Sequence, residues 1–208
     1  MSDITKLFAE VLDEYIDARI VAFDLDGCLV NEFFGLSDFL DTLRVRYNLN
    51  PYEIVETISL YEAWLSNREF DWIGGLLTLL GASHSCDKRS ELDKFHLIQL
   101  YNSRRYPATC NLELHGFLSN LAKSRTLILV TNGLKSRQLS KIRALGISKY
   151  FKALYFCDDT LFPPKPNFCP LVDGQKIDVM IGDRVLDQEF AKANSARYVY
   201  LGDSFFRG

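Results

Sequence analysis

The stretch 20–27, IVAFDLDG, decides the fold of this chain. Its first four residues are an unbroken apolar run, and a run that is apolar on both faces is typical of a buried strand in a parallel sheet. Side chains alternate along an extended chain, so Asp24 and Asp26 are expected to emerge on one side while Leu25 turns into the fold. Gly27 then allows the chain to bend away. The stretch predicts a buried strand whose carboxyl end presents two carboxylates to one small volume.

The same pattern, an apolar run followed by polar residues, occurs four more times. The further runs are 126–130, 153–157, 178–181 and 198–201, and helical periodicities occupy 112–121, 134–145 and roughly 187–194. Regular alternation of strands and helices predicts an α/β protein with a doubly wound parallel sheet and helices on both faces. Ligands of such sheets bind at the carboxyl ends of the strands. The polar residues found there are therefore expected to share one site: Asp24, Thr131, Asp158 and Asp183. For Asp158 an ordinary turn after the third strand is the favoured alternative.

The regular alternation stops between residues 31 and 106, where no buried strand is predicted. Apolar residues such as Phe39, Leu43 and Ile54 recur there at helical spacings. A crossover between parallel strands needs far fewer residues than this segment contains. We therefore predict a helical cap subdomain over 31–106, inserted into a core formed by 1–30 and 107–208. A further amphipathic helix is predicted over 4–16.

Composition and charge narrow the classes of function. The chain has 208 residues, 48% of them hydrophobic, and its 24 Lys and Arg against 27 Asp and Glu give a net charge of -3. Without a basic field, nucleic acid is not an expected partner. Charged residues interrupt the first fifteen positions, and no apolar stretch approaches the ~20 residues that span a bilayer, so neither a secretory signal nor a membrane partner is predicted. We expect a cytoplasmic protein.

The five cysteines are scattered and form no Cys-x-x-Cys pair. Such cysteines are typical of reduced thiols rather than of zinc sites or disulfides. Cys28 follows Gly27 and is interpreted as a small packed thiol.

Four motifs in order resemble the signature of the haloacid dehalogenase (HAD) superfamily of hydrolases. Their joint occurrence in this order is far less expected by chance than any one of them. The resemblance extends from about residue 20 to 201 and implies a Rossmann-like core with a helical C1-type cap at the predicted insertion. The motifs are VAFDLDG at 21–27, LVTNG at 129–133, Lys165-Pro166, and GDRVLD at 182–187.

The resemblance implies a phosphatase, a phosphoric monoester hydrolase that works through a covalent intermediate. Asp24 would attack phosphorus, and Asp26 would protonate the leaving alcohol and later activate a water molecule. Lys165 would place a positive charge beside Asp24 and the phosphoryl oxygens. Thr131 and the backbone amide of Asn132 would bind those oxygens.

The resemblance also implies Mg²⁺ as the cofactor. A phosphomonoester dianion repels an attacking carboxylate, and a hard cation with oxygen ligands relieves that repulsion. The ligands would be the carboxylates of Asp24 and Asp183 and the backbone carbonyl of Asp26. Asp187 is expected to fix Lys165 or a metal-bound water, unless it serves only as the N-cap of the following helix.

Three alternative activities remain to be weighed against phosphatase. Dehalogenases of this family lack an aspartate at the place of Asp26, which favours phosphoryl chemistry. Mutases resembling β-phosphoglucomutase usually have a histidine shortly after the first motif, and residues 31–43 contain none. The remaining alternative is a binding module that keeps the fold without turnover. The presence of all the implied site residues argues against it, because a protein without catalytic activity need not retain them.

The expected substrate is a small phosphorylated metabolite whose identity the sequence does not name. Three cap arginines are candidates for its recognition: Arg44, Arg46 and Arg68. The oligomeric state stays open.

Overall fold

The computed structural model describes residues 17–31, 33–67, 70–83, 94–108, 111–158 and 162–201. The chain divides into two compact units, one of Met1–Phe34 with Pro107–Gly208 and the other of Gly35–Tyr106. The helix predicted over 4–16 and the side chain of Arg68 lie outside the described residues. None of the helices among the described residues combines the length and the hydropathy that a membrane span requires.

The first unit is built on a five-stranded sheet in which neighbouring strands are parallel. The spatial order is β3-β2-β1-β4-β5. This confirms the predicted doubly wound α/β fold. The chain runs outward from β1 on one side and returns to the other side at β4, so the switch point of the sheet lies between β1 and β4. The strands are β1 Ile20–Phe23, β2 Thr126–Asn132, β3 Ala153–Cys157, β4 Val179–Gly182 and β5 Arg197–Tyr200.

Seven α-helices are found among the described residues. Four belong to the second unit and three to the first, which also has a short 3₁₀ helix at Ser148–Tyr150. The α-helices are α1 Leu36–Tyr47, α2 Pro51–Ser66, α3 Trp72–Ser83, α4 Lys94–Ser103, α5 Leu112–Leu121, α6 Lys135–Leu145 and α7 Val185–Ala193.

The sheet is covered on both faces, as its unbroken apolar runs predict. Val21 and Phe23 of β1 belong to a buried cluster that includes residues of α5 and α6. Ile20 and Ala22 belong to a second buried cluster, which includes Phe190 of α7. Alternate side chains of β1 thus enter opposite faces, which explains why the strand has no polar position.

The helical unit has an aromatic core of its own. The rings of Phe39, Tyr61, Trp72 and Tyr101 contact one another with centroid separations of 5.0 to 6.1 Å. These four side chains come from α1, α2, α3 and α4, so each helix contributes one ring to a shared cluster. The candidate substrate-reading residues Arg44 and Arg46 lie exposed on α1.

Three strands differ in their bounds from the sequence prediction. Strand β5, predicted over 198–201, lies one residue earlier, at Arg197–Tyr200. Strand β2 continues beyond 130 through Thr131 and Asn132, because these residues pair with Phe156 and Cys157 of β3. Strand β4 begins one residue later than predicted and includes Gly182. The polar residues of the second motif therefore lie within the sheet, where main-chain pairing fixes their positions.

Candidate active site

The first and fourth motifs meet at the switch point of the sheet. Asp24 follows β1, and its backbone N–H donates a 2.9 Å hydrogen bond to the carbonyl of Ile181 in β4. Gly27 has a φ of 82°, and a Cβ added there would lie 2.1 Å from Oδ2 of Asp183. Only glycine suits this position, because it tolerates the left-handed conformation and leaves room for the Asp183 carboxylate.

Three carboxylates converge at this point. Asp24, Asp183 and Asp187 each offer one oxygen, and these oxygens all lie within 4.8 Å of one another. Oδ1 of Asp183 is buried without a hydrogen-bond partner among the described residues. A Cβ at Gly182 would lie 2.4 Å from Oδ2 of Asp187, so the absence of a side chain there lets Asp187 pack against the end of β4.

Lys165 bridges two of the three carboxylates. Its Nζ lies 2.7 Å from Oδ1 of Asp24 and 2.5 Å from Oδ1 of Asp187, and the residue is 5% exposed. Burial alone would lower the pKa of Lys165, but the charges of Asp24 and Asp187 outweigh it and raise that pKa. The Lys165 backbone N–H donates a 3.0 Å hydrogen bond to Oδ1 of Asn132, which ties the lysine loop to β2.

Of the two alternatives for Asp187, the structure shows the contact with Lys165, and Asp187 is not the N-cap residue. Arg184 occupies the N-cap of α7, and Asp187 lies in the first turn of that helix. Its Oδ2 accepts a 3.2 Å hydrogen bond from the Arg184 N–H, while its Oδ1 accepts from Lys165. The N-cap prediction is therefore wrong in position, because the helix begins two residues before Asp187 and uses that side chain from within.

The crowding of carboxylates opposes their ionisation. Burial, with the charge of Asp187 in addition, raises the pKa of Asp24 to about 6 in spite of the nearby Lys165. Burial and the charges of Asp24 and Asp187 raise the pKa of Asp183 to about 7. A cation placed among these oxygens would favour their charged forms.

The donor set fits a small divalent cation. Its ligands would all be oxygens, which hard cations such as Mg²⁺ prefer. The buried, unpartnered oxygen of Asp183 points to such an ion, because a buried polar atom without a partner is costly. Asp187 is the least available of the three acids, since both of its oxygens already accept hydrogen bonds.

Asp26 has a separate environment that sequence reasoning missed. Lys141 pairs with its Oδ1, and Nε2 of Gln138 donates a 2.9 Å hydrogen bond to its Oδ2. Burial alone would raise the pKa of Asp26, but Lys141 and Gln138 hold it down at about 2. Both partners come from α6, which begins directly after the second motif. Their spacing of three residues places them on one helical face, but nothing in that spacing indicates a contact with Asp26.

Thr131 and Asn132, the predicted phosphate-binding residues, lie at the end of β2 beside this helix. Thr131 is fully buried, and its Oγ1 accepts a 2.9 Å hydrogen bond from Nε2 of Gln138. The same nitrogen lies 2.9 Å from the backbone oxygen of Asn132. The structure thus brings the predicted residues into two linked groups, one around Lys165 and one around Gln138.

Cys28 is packed, as its position predicts. It is fully buried, and its Sγ donates to the carbonyl of Ile181 at 3.6 Å. Burial and the neighbouring carboxylates raise the pKa of this thiol well above its usual value, so it is not a reactive thiolate.

Comparisons with known proteins identify the fold. No family model matches the sequence, and no curated protein matches it. Among solved structures, magnesium-bound YfnB of Bacillus subtilis, named as a HAD hydrolase, superposes with a TM-score of 0.64 at 15% identity, over 92% of this chain and 90% of its own. The chain has the haloacid dehalogenase fold.

Other proteins with the HAD fold carry names for different reactions. A Thermotoga maritima protein named as a β-phosphoglucomutase matches with a TM-score of 0.58 at 19% identity, over 91% of this chain and 88% of its own. A dehalogenase matches with a TM-score of 0.51 at 13% identity, over 91% of this chain and 87% of its own. At these identities the likeness establishes the HAD fold, and the choice of reaction depends on the residues of the site.

Proposed function

We propose that this chain is a Mg²⁺-dependent phosphohydrolase that acts on a small phosphomonoester through an aspartyl-phosphate on Asp24. The observation that carries the proposal is the position of the Asp24 carboxylate. It lies 2.7 Å from the Lys165 ammonium and has an oxygen within 4.8 Å of an oxygen of Asp183, at the switch point where α/β proteins bind ligands.

In the first step Asp24 attacks phosphorus and the bond to the leaving alcohol breaks. Lys165 orients Asp24 through Oδ1, and its positive charge stabilises the phosphoryl oxygens as negative charge develops on them. Asp187 holds Lys165 in place from its other side. Thr131 and the Asn132 amide, at the end of β2, bind the phosphoryl oxygens.

Asp26 handles the protons in both steps. The negative charge of a bound dianionic ester raises the pKa of Asp26 above the value of about 2 that Lys141 and Gln138 impose in the free site, so the carboxyl group takes up a proton as the ester binds. It donates this proton to the leaving oxygen and then takes one from the water that hydrolyses the aspartyl-phosphate. Mg²⁺, held by Asp24, Asp183 and the backbone carbonyl of Asp26, would supply the positive charge that lets a carboxylate approach a dianionic ester.

Asp26 also distinguishes this function from the alternatives. Cleavage of a carbon–halogen bond needs no proton donor for a leaving alcohol, so the paired and oriented Asp26 supports phosphoryl chemistry. A transfer reaction resembling that of β-phosphoglucomutase is the second candidate, because the Thermotoga maritima protein with the same fold is named as such an enzyme. The absence of histidine from 31–43 favours hydrolysis over it.

The proposed function is tested by assaying the purified protein against a panel of phosphorylated metabolites. We expect release of inorganic phosphate from at least one of them with Mg²⁺ and none in excess EDTA. Ca²⁺ should inhibit, because it is larger and tolerates bidentate carboxylate binding that would occupy the attacking oxygen of Asp24. Full turnover by metal-stripped protein in EDTA would contradict the proposal.

Mg²⁺ is also expected to stabilise the protein without any substrate. The cation relieves repulsion among buried carboxylates, so at about 100 times its Kd it should raise the melting temperature by roughly 5 to 10 °C. Asp183→Asn should lose most of this shift in a thermal denaturation assay.

The matched control is Asp173→Asn, which changes an exposed aspartate whose φ of 53° asparagine also tolerates. This variant should keep the full shift. An equal shift in Asp183→Asn and the wild type would exclude Asp183 as a metal ligand.

A further inference from the structure

Helix α6 directs two buried polar side chains at the carboxylate of Asp26. Gln138 is fully buried, and Lys141 is 4% exposed. Gln138 donates to Oδ2 of Asp26 at 2.9 Å, and the Lys141 ammonium contacts Oδ1. Both oxygens of the carboxylate are therefore engaged from one helical face, which restricts rotation of the Asp26 side chain.

The same helix holds the predicted phosphate-binding segment. Nε2 of Gln138 lies 2.9 Å from Oγ1 of Thr131 and 2.9 Å from the backbone oxygen of Asn132. One side-chain amide thus joins the end of β2 to the carboxylate that follows β1. The distance between the phosphate-binding segment and Asp26 is therefore set by a residue that belongs to neither.

We propose that Gln138 and Lys141 are positioning residues that hold the Asp26 carboxyl group where it exchanges protons with the leaving oxygen and with water. This inference rests on the proposed phosphohydrolase function. In the first step the Asp24–phosphorus bond forms, the phosphorus–oxygen bond to the alcohol breaks, and the proton that Asp26 takes up as the dianionic ester binds passes to the leaving oxygen. In the second step water attacks phosphorus, its proton passes to Asp26, and Asp24 is released as a carboxylate.

A positioning role has a consequence that a purely structural role lacks. Proton donation matters most for a poor leaving group, because a good leaving group departs as an anion without help. Misplacement of Asp26 should therefore slow the hydrolysis of esters in proportion to the basicity of the leaving oxygen. Loss of fold would instead lower all rates by a common factor.

The test uses the full chain with Mg²⁺ and a series of substituted phenyl phosphates, which differ in leaving-group pKa but little in size. Relative to the wild type, Lys141→Met should lose roughly 10- to 100-fold more kcat/KM on phenyl phosphate than on 2,4-dinitrophenyl phosphate. Lys141→Arg, which keeps the positive charge, should restore much of that difference. Gln138→Met should likewise make kcat/KM fall more steeply as the leaving-group pKa rises. This variant provides the test if Lys141→Met does not fold.

The control is Arg143→Met, which removes an exposed cation from the same helix. It should leave the dependence on leaving-group pKa unchanged. An equal loss across the series, or no loss, in folded Lys141→Met and Gln138→Met would overturn the inference while leaving the proposed function intact. A wild-type protein that hydrolyses neither this series nor any metabolite of the panel would overturn both.

Discussion

Asp24→Asn is expected to abolish the turnover of phosphomonoesters. The amide has nearly the shape of the carboxylate but lacks its nucleophilic oxygen, so kcat should fall by about 10⁴-fold or more. Steady-state assays of phosphate release measure the loss, and no phosphorylated protein should form. The effect follows from the position of Asp24 beside Lys165, at the switch point between β1 and β4.

Its control is Asp173→Asn, the same change at an exposed position, which should keep wild-type activity. Asp24→Asn should also keep the wild-type far-ultraviolet circular dichroism, since the sheet does not depend on the charge. Turnover of Asp24→Asn at a rate near that of the wild type would show that another group attacks phosphorus.

Lys165→Met is expected to impair both activity and stability. Methionine has a similar length but no charge, so Asp24 and Asp187 would face each other unpaired in a buried site. Removal of one partner from a buried ion pair typically costs about 3 to 5 kcal/mol in the free energy of unfolding. Urea denaturation measures this loss, and phosphatase assays at a temperature where the variant is folded measure the loss of kcat.

Lys152→Met provides the matched comparison. Lys152 pairs with Asp173, but both side chains are at least half exposed, and such surface pairs contribute about 0 to 1 kcal/mol. This variant should lose little stability and no activity. Equal stability losses in the two variants would show that Lys165 is not a buried bridge between carboxylates.

Local patterns in the sequence predict the sheet because burial on both faces leaves a local signature. Strand β1 occupies the predicted residues 20–23, where an unbroken apolar run has one interpretation in an α/β chain. The end of β2 cannot be predicted in this way. Thr131 and Asn132 are polar, and only their pairing with β3 extends the strand through them.

The candidate site also contains some residues that local motifs predict and others that they do not. Asp24, Asp183 and Lys165 belong to short motifs at the ends of strands, and the structure brings them together. Gln138 and Lys141 cannot be predicted from local patterns because their partner Asp26 lies 112 and 115 residues away in the sequence. A polar residue in a helix has no local feature that distinguishes such a contact from exposure to solvent. The requirement for glycine at Gly27 likewise depends on Asp183, which only the folded chain brings beside it.

The most direct test of the account is to trap the intermediate on Asp24. Asp26→Asn removes the group that activates water, so an aspartyl-phosphate formed from acetyl phosphate should persist, because that donor has a good leaving group. Mass spectrometry of the intact protein and of its peptides should find about 80 Da, the mass of the phosphoryl group, added at Asp24. The double variant Asp24→Asn/Asp26→Asn should carry no such addition. A phosphoryl group on any other residue, or the same addition in the double variant, would contradict the assignment of Asp24 as the nucleophile.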